Sequence, residues 1–522
     1  MVKMGTIAAA ILLLSASVIL TDANLSKLPL AMQIAFRKLQ LLVHNDDKPK
    51  GTPFSPLSAK PDPSQRIAIV GAGLAGLHMG YLLKKKGFNN TVVFEKDSRV
   101  GGKVMSVWHD GIPHELGACY TSPDYITNVY ALAKELGVDD FVPLSPSTAW
   151  LDNLPYPLTF RGYVILEVKR LTNAKDPVEA VGNLIKATYR YSVLHRQMFG
   201  KYEGELMYKP SSQVLSQLNS TFMAFLEKNR LLALVPVLTA SHTMQGYGHL
   251  DRVPALYGML WDTPKFLYAM LARSLGVSGG GVDMFRNGFQ QMTDKLAAFS
   301  DVHLNIAIEN IKRDSTGVTI KFNDGKDRTE KFDFLIWAAD TREALRVLEH
   351  TTPLEEEFSH LRNTWFTTTL FDSKEQCRSY TPIDYWLSNL YNKREQSVWA
   401  RRNSRYVLKG GHCPTTKGLK SNISTVAYQM GDHSPMGTSL LCETFNQHFK
   451  RHLGVDTISV IKSKSWNYFP RFSVEKTAEG ILWKIIENQG NEKTWYIGSS
   501  VIFESTKSVL EYNRLMMRRM EM

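Results

Sequence analysis

Cysteine is scarce in this chain. Four residues among 522, Cys119, Cys377, Cys413 and Cys442, lie far apart and form no paired metal-ligand spacing. That scatter excludes a zinc finger or a disulfide-stapled scaffold, and no metal site is expected. One bridge among Cys377, Cys413 and Cys442 stays open, as does the reading of buried or idle thiols. Long apolar runs are lacking as well: the stretch from Gly5 to Leu20 falls short of the ~20 residues that cross a bilayer. No run of arginines interleaved with aromatics marks a nucleic-acid surface, so the net charge of +12 reads as a dispersed solvated face that would still attract fatty carboxylates.

What is present describes a globular protein. Hydrophobic residues make up 43% and aromatics 11%, enough for a large core, and the length predicts two interlocked domains. Residues 1–23 have a basic start at Lys3, an apolar middle and small Ala23 after Asp22, the outline of a signal peptide. The expected location is secreted or the secretory lumen, with a single-pass anchor as the alternative. Acceptor triplets at Asn89, Asn219 and Asn422 gain meaning in that compartment. From Leu25 to Val43, Leu28, Met32, Ala35, Phe36, Leu39 and Leu42 recur at helical spacing, which fits a helix packed on the body or one lying on a membrane surface. Five prolines between 45 and 64 make a linker, so the folded body begins near Gln65.

The body opens on RIAIVGAGLAGLHMG, residues 66–80. An apolar strand from Ile67 to Val70 runs into Gly71, which permits the tight turn, Gly73, which lets backbone approach a pyrophosphate, and Gly76, which allows close helix packing. A second strand, Thr91 to Phe94, ends at Glu95, placed to hold a ribose diol. KDSRVGGK follows at once, with Arg99, Gly101, Gly102 and Lys103; its cations can face phosphates and its paired glycines let backbone crowd a large ligand.

This order resembles the flavin amine oxidase superfamily, in which an acid-ended strand leads into an Arg-x-Gly-Gly segment. HELGACY at 114–120 is similar to its segment beside the flavin, GVDMFRNGFQQM at 281–292 to its return into the FAD domain, FDFLIWAAD at 332–340 to its apolar core strand, and TWYIGSSVIFESTKSVLEYN at 494–513 to its closing strand, glycine and helix. The resemblance implies an α/β fold: a discontinuous Rossmann-like FAD-binding domain from 64–122, 281–345 and 480–522, with an α+β substrate domain from 123–280 and 346–479. The first substrate stretch reads as mostly helical, the second as containing strands at Trp365 to Phe371 and Ser424 to Gln429. It further implies non-covalent FAD held by Leu74, Ala75, Lys96, Arg99, Gly102, Lys103, Gly117, Ala118, Ile308, Gly498, Ser499 and Val509, besides Gly71, Gly73, Gly76 and Glu95.

MQGYGHLDRVPALYGM at 244–259 and WNYFPRFSVE at 466–475, with VGGK rather than VGGR, are similar to the polyenoic fatty acid isomerases of that superfamily. This implies hydride transfer between flavin and an unsaturated lipid. No separate Ser-His-Asp set is needed, because a pentadienyl methylene is already activated and an apolar slot can position it. The slot candidates are Tyr247, His249, Tyr257, Trp261, Trp466, Tyr468 and Phe469, with Tyr247, His249 and Tyr468 the catalytic expectation and Arg471 facing flavin or a substrate carboxylate. Taken singly, each reads more readily as core; as a group in these two segments they point to a slot.

Two departures stand out. Ser499 replaces an acidic residue usual in the family, and SPSTAWLDNLPY at 145–156 lacks the family's arginine. Three functions follow: a lipid-directed FAD oxidoreductase or isomerase, a secreted amine oxidase producing peroxide, and a flavin-fold binding protein without turnover.

Overall fold

The computed structural model describes residues 29–45, 47–121, 126–144, 147–202, 206–274, 282–376, 382–394, 396–409, 420–431, 438–453, 455 and 458–522. Residues 1–23, expected as a signal peptide, and Cys377 and Cys413 lie outside them. Cys119 is buried and Cys442 exposed, each as a free thiol.

Strands whose every residue is apolar suit the middle of a sheet covered on both faces. Ile67–Val70 is flanked by Phe334–Trp337 on one side and Thr91–Phe94 on the other, all three buried along their length. Thr494–Tyr496 and Asp301–His303 complete a five-stranded parallel sheet. The helix Leu74–Lys85 makes the crossover between the first two strands. This is the expected Rossmann-like core, and its carboxyl edge carries Gly71, Glu95, Ala338 and Gly498, where ligands bind in such sheets.

A second sheet of seven strands runs in the order Ile458–Arg471, Arg362–Gln376, Lys420–Gly431, Val398–Arg402, Ile383–Trp386, Thr148–Trp150 and Leu158–Thr159. The expected strands near 365–371 and 424–429 are its long central members. Between residues 126 and 274 the chain is largely helical, with Phe160–Thr172 and Pro177–Phe199 as long elements. Thr159 caps the former by accepting from the Gly162 N–H at 3.1 Å, and Asp176 caps the latter with Pro177 in its first turn. The anticipated amphipathic helix spans Leu30–His44 and buries Phe36, Leu39 and Val43 against the body. One continuous apolar core joins the helical region to both sheets.

Candidate active site

Two glycine loops meet at the edge of the parallel sheet. Gly71 has φ +107° and donates its N–H to Phe94 O at 2.8 Å, while a Cβ on Gly76 would lie 2.0 Å from Gly71 O. Only a bare backbone fits that turn. The Gly101 N–H donates to Ala72 O at 2.8 Å, and a Cβ on Gly102 would stand 3.0 Å from Gly73 Cα, so the second loop lies directly on the first. At the end of the neighbouring strand, Glu95 accepts from the Ala72 N–H at 2.8 Å and the Asp97 N–H at 2.9 Å, one bond to each carboxylate oxygen. The carboxylate is thus fixed with lone pairs to spare.

These features border a cavity of about 1640 Å³. Gly71, Gly73, Leu74, Ala75, Glu95, Lys96, Gly102, Lys103, Gly117, Ala118, Ile308, Gly498, Ser499 and Val509 all line it. The helix Leu74–Lys85 begins there with no side-chain cap and no acid in its first turn, which leaves its positive end for an anion. A wall stripped of Cβ atoms, an uncapped helix start and an anchored carboxylate fit the pyrophosphate and ribose of FAD. Gly76 supports the turn from behind. Arg99 corrects the expectation that it faces phosphate: its guanidinium donates to Val100 O and Val104 O at 2.9 Å each and to Gly102 O, bracing the glycine loop from outside the cavity.

Beyond the glycines the cavity becomes aromatic. Tyr247 stacks on Tyr468 with centroids 5.3 Å apart and planes 9° from parallel, and the wall continues through Phe366, Tyr428 and Trp399 to Tyr385. Gly246, at φ +86°, makes room for Phe366, whose ring a Cβ there would meet at 2.7 Å. Thr364 Oγ1 hydrogen-bonds both Gly246 O, at 2.9 Å, and Tyr468 O, at 3.1 Å, tying the two aromatic segments together. Trp261 and Trp466 also line the cavity, their indole N–H groups donating to Ser241 O at 3.0 Å and Leu116 O at 2.7 Å. Burial raises the pKa of Tyr247 and Tyr468, so both phenols stay neutral.

Two slot candidates, Tyr257 and Phe469, and with them Arg471, stand behind this wall, not in it. Tyr257 is buried and accepts from the Phe472 N–H at 3.2 Å, Phe469 is core, and Arg471 lies over the Phe469 ring at 5.2 Å. His249 also proves misplaced: it sits half-buried beside Asn389 and Arg394, outside the cavity, and a base role there lacks the geometry.

The cavity reveals two residues that the sequence reading missed, Glu504 and Arg161. Glu504 forms an ion pair on the wall with the expected Lys103, and burial raises the Glu504 pKa against the pull of Lys103. Arg161 lines the far part, half-buried, with no hydrogen bond or ion pair among the described residues. Its signal was local: a lone cation in the first turn of Phe160–Thr172 opposes the helix dipole, an arrangement that needs another reason to persist.

Glu115, within the 114–120 segment that runs into Gly117 and Ala118 on the cavity, gives the fold a pH dependence. Burial pushes its carboxyl up to about 7, opposed by the Phe289 N–H at 2.7 Å, the Ser106 hydroxyl at 2.8 Å and the charge of Arg402. A folded pKa above the unfolded one contributes stability that is whole below about pH 4.5 and is lost as pH rises through about 7, roughly 3 kcal/mol in all. Denaturant melts between about pH 5 and pH 8 should show that loss, and Glu115→Gln, which keeps an acceptor for Phe289, should flatten it.

Comparison with known proteins agrees with this geometry. A polyenoic fatty acid isomerase from Ptilota filicina is 24% identical over 473 residues, covering 85% of this chain and 93% of its own length. A putative flavin-containing monoamine oxidase, AofH, from Mycobacterium tuberculosis is 25% identical over 337 residues, covering 62% of this chain and 67% of its own. The crystal structure of a CLA-producing fatty acid isomerase from P. acnes superposes with a TM-score of 0.71 at 22% identity, over 88% of this chain and 99% of that one, a shared fold. The family model for flavin containing amine oxidoreductases matches residues 74–370, more than half the sequence, and the chain belongs to that family.

Proposed function

We propose that the protein binds FAD non-covalently and acts on an unsaturated fatty acid, shifting hydride between lipid and flavin as an isomerase or oxidoreductase. The observation that carries this reading is the stacked pair Tyr247 and Tyr468. A guest held between two rings needs about 7 Å, twice a carbon contact distance, and 5.3 Å leaves no such gap. The closed pair lines the cavity as aromatic surface for a chain to lie along, not a cage that grips an amine. Its rings can stabilise positive charge developing on the reacting carbons.

The glycine loops, Glu95 and the start of Leu74–Lys85 would hold FAD, which supplies the hydride acceptor when bound. Cys119 is the only cysteine lining the cavity among the described residues, and burial pushes its thiol up to about 11, so it is no nucleophile for covalent attachment. Acid precipitation of the purified protein should therefore release the flavin; a yellow pellet would contradict this. The apolar walls exclude water, and neutral Tyr247 and Tyr468 orient the chain without taking a proton. The names of the Ptilota filicina and P. acnes relatives support the lipid reading. The amine oxidase alternative draws on the family and on AofH.

Arg161 would take the substrate carboxylate, because a half-buried guanidinium without a partner among the described residues lines the cavity beside Thr159 and Phe160. Arg161→Gln should weaken linoleate binding by about tenfold to a hundredfold, the value of a charge-assisted bond, and leave linoleyl alcohol binding unchanged. Quenching of cavity tryptophan fluorescence reads both. Equal loss for acid and alcohol would remove Arg161 from that role.

A further inference from the structure

The Leu30–His44 helix is apolar on two opposite faces. At 100° per residue Phe36, Leu39 and Val43 cluster on the side turned into the protein, whereas Leu30, Ile34 and Leu41 fall within about 40° of one another on the other side. Those three are 70%, 46% and 73% exposed, and they account for three of the thirteen strongly exposed large apolar side chains among the described residues. A helix that serves only a core has a polar outer face. Here the outward stripe instead carries leucine and isoleucine, flanked by exposed Arg37, about 20° beyond Leu30, and exposed Lys38, about 40° beyond Ile34.

The surroundings extend the patch. The helix runs along Pro177–Phe199, where Met32 packs on Gly182 and Arg196 donates to Val43 O at 3.0 Å, and that helix exposes Val178 and Tyr189. On its other flank Phe36 meets Tyr268, 5.4 Å between centroids, in the helix Pro264–Ser274, and Phe266 and Met270 of the same helix line the cavity. We propose that the outward face of Leu30–His44 docks on an anionic lipid bilayer, with Leu30, Ile34 and Leu41 entering the acyl boundary and Arg37 and Lys38 meeting lipid phosphates.

Three observations select a bilayer over other occupants. Apolar side chains interleaved with cations match the chemistry of an anionic membrane surface and repel a second copy of the same basic face. The net charge of +12 adds long-range attraction of the same sign. The apolar run from Gly5 to Leu20, as a signal peptide or as the alternative anchor, delivers the chain to a membrane, and the residues that follow it lead straight into Pro29 and Leu30. Among the described residues no helix is long and apolar enough to cross a membrane, so this contact is one of lying on the surface.

The proposal goes beyond the substrate reading and is tested apart from it, by flotation of the full chain with vesicles. Vesicles of equal parts phosphatidylcholine and phosphatidylglycerol should carry the protein up, and pure phosphatidylcholine should carry about tenfold less. The triple variant Leu30→Glu, Ile34→Glu, Leu41→Glu should lose binding by about tenfold or more, and the double variant Arg37→Glu, Lys38→Glu should lose the preference for the anionic lipid. All five side chains are exposed, so thermal melting should not change. Flotation of the triple variant at wild-type level would overturn the proposal and assign the contact to residues 1–28. Failure of the wild-type chain to float, or a light-scattering dimer that the triple variant abolishes without any vesicle binding, would overturn it as well. Turnover of lipid substrate in detergent enters none of these readouts, so failure of one reading leaves the other standing.

Discussion

Purified Gly76→Val protein should be colourless and should not regain flavin absorbance when FAD is added. The added Cβ would sit 2.0 Å from Gly71 O, a backbone atom that cannot turn aside, because its own residue is held by Phe94 O on one side and the Ala338–Ala339 backbone on the other. Either the helix Leu74–Lys85 moves off the sheet or the turn opens, and both move the helix start away from the pyrophosphate path. Gly73→Ala separates shape of the turn from space for the cofactor. Gly73 has an ordinary extended backbone, φ −75° and ψ 178°, and its Cβ would meet nothing closer than Gly102 Cα at 3.8 Å, so the fold should stand. That methyl would nonetheless project into the cavity. Melting should match wild type while FAD affinity falls by about tenfold to a hundredfold, an overpacking cost of ~1–3 kcal/mol. Gly73→Ala that binds FAD with full affinity would move the pyrophosphate elsewhere.

Glu504→Ala should lower both stability and turnover. Phe469 sits at φ +51°, a left-handed conformation that costs a bulky residue about 1–2 kcal/mol. The strand Ile458–Arg471 shifts register there against Arg362–Gln376, and Tyr468 lines the cavity while Phe469 enters the core against Tyr247, Tyr257 and Phe503. Glu504 holds it there by accepting the Phe469 N–H, and the same carboxylate pairs with Lys103 beneath the Tyr468 ring. Removing it strands a buried N–H and a cation together, a loss of about 3 kcal/mol by urea melts, and frees Tyr468 to leave its stack on Tyr247. Glu504→Gln keeps an acceptor for Phe469 and should restore most of the stability but not the pairing of Lys103. If Ala and Gln variants melt alike, the bond to Phe469 contributes little and the left-handed conformation is held by packing.

The parts of this site that were legible in the sequence are those built from neighbours in the chain. A four-residue apolar strand, a glycine turn and an acid-ended second strand are local, and their positions lead directly to Gly71, Gly73 and Glu95 on the cavity. Gly498 and Ser499 come instead from the resemblance of residues 494–513 to the flavin amine oxidase family, and both line the cavity. Arg99 was misjudged because the carbonyls that absorb it, Val100, Gly102 and Val104, point inward only once the loop closes. His249 was grouped with Tyr247 by proximity, yet Gly246 at φ +86° and Gly248 at φ +93° turn the chain on either side of Tyr247 and send the histidine out of the cavity. Glu504 and Lys103 are separated by some four hundred residues, so their pairing is not visible before the chain is folded; Arg161 shows in the sequence only as a lone cation at a helix start, and its lack of a partner among the described residues emerges with the fold.

The central claim is that this flavin site handles an unsaturated acyl chain. Its most direct test mixes the FAD-loaded protein, under anaerobic conditions, with polyunsaturated fatty acids and separately with primary and secondary amines, following flavin absorbance and conjugated-diene absorbance together. The account predicts a response to the fatty acids alone: dienes without lasting bleaching for isomerisation, or lasting bleaching for dehydrogenation, with either response reduced by Tyr468→Ala in protein that keeps its flavin. Bleaching by amines alone, followed by peroxide once oxygen is admitted, would contradict it.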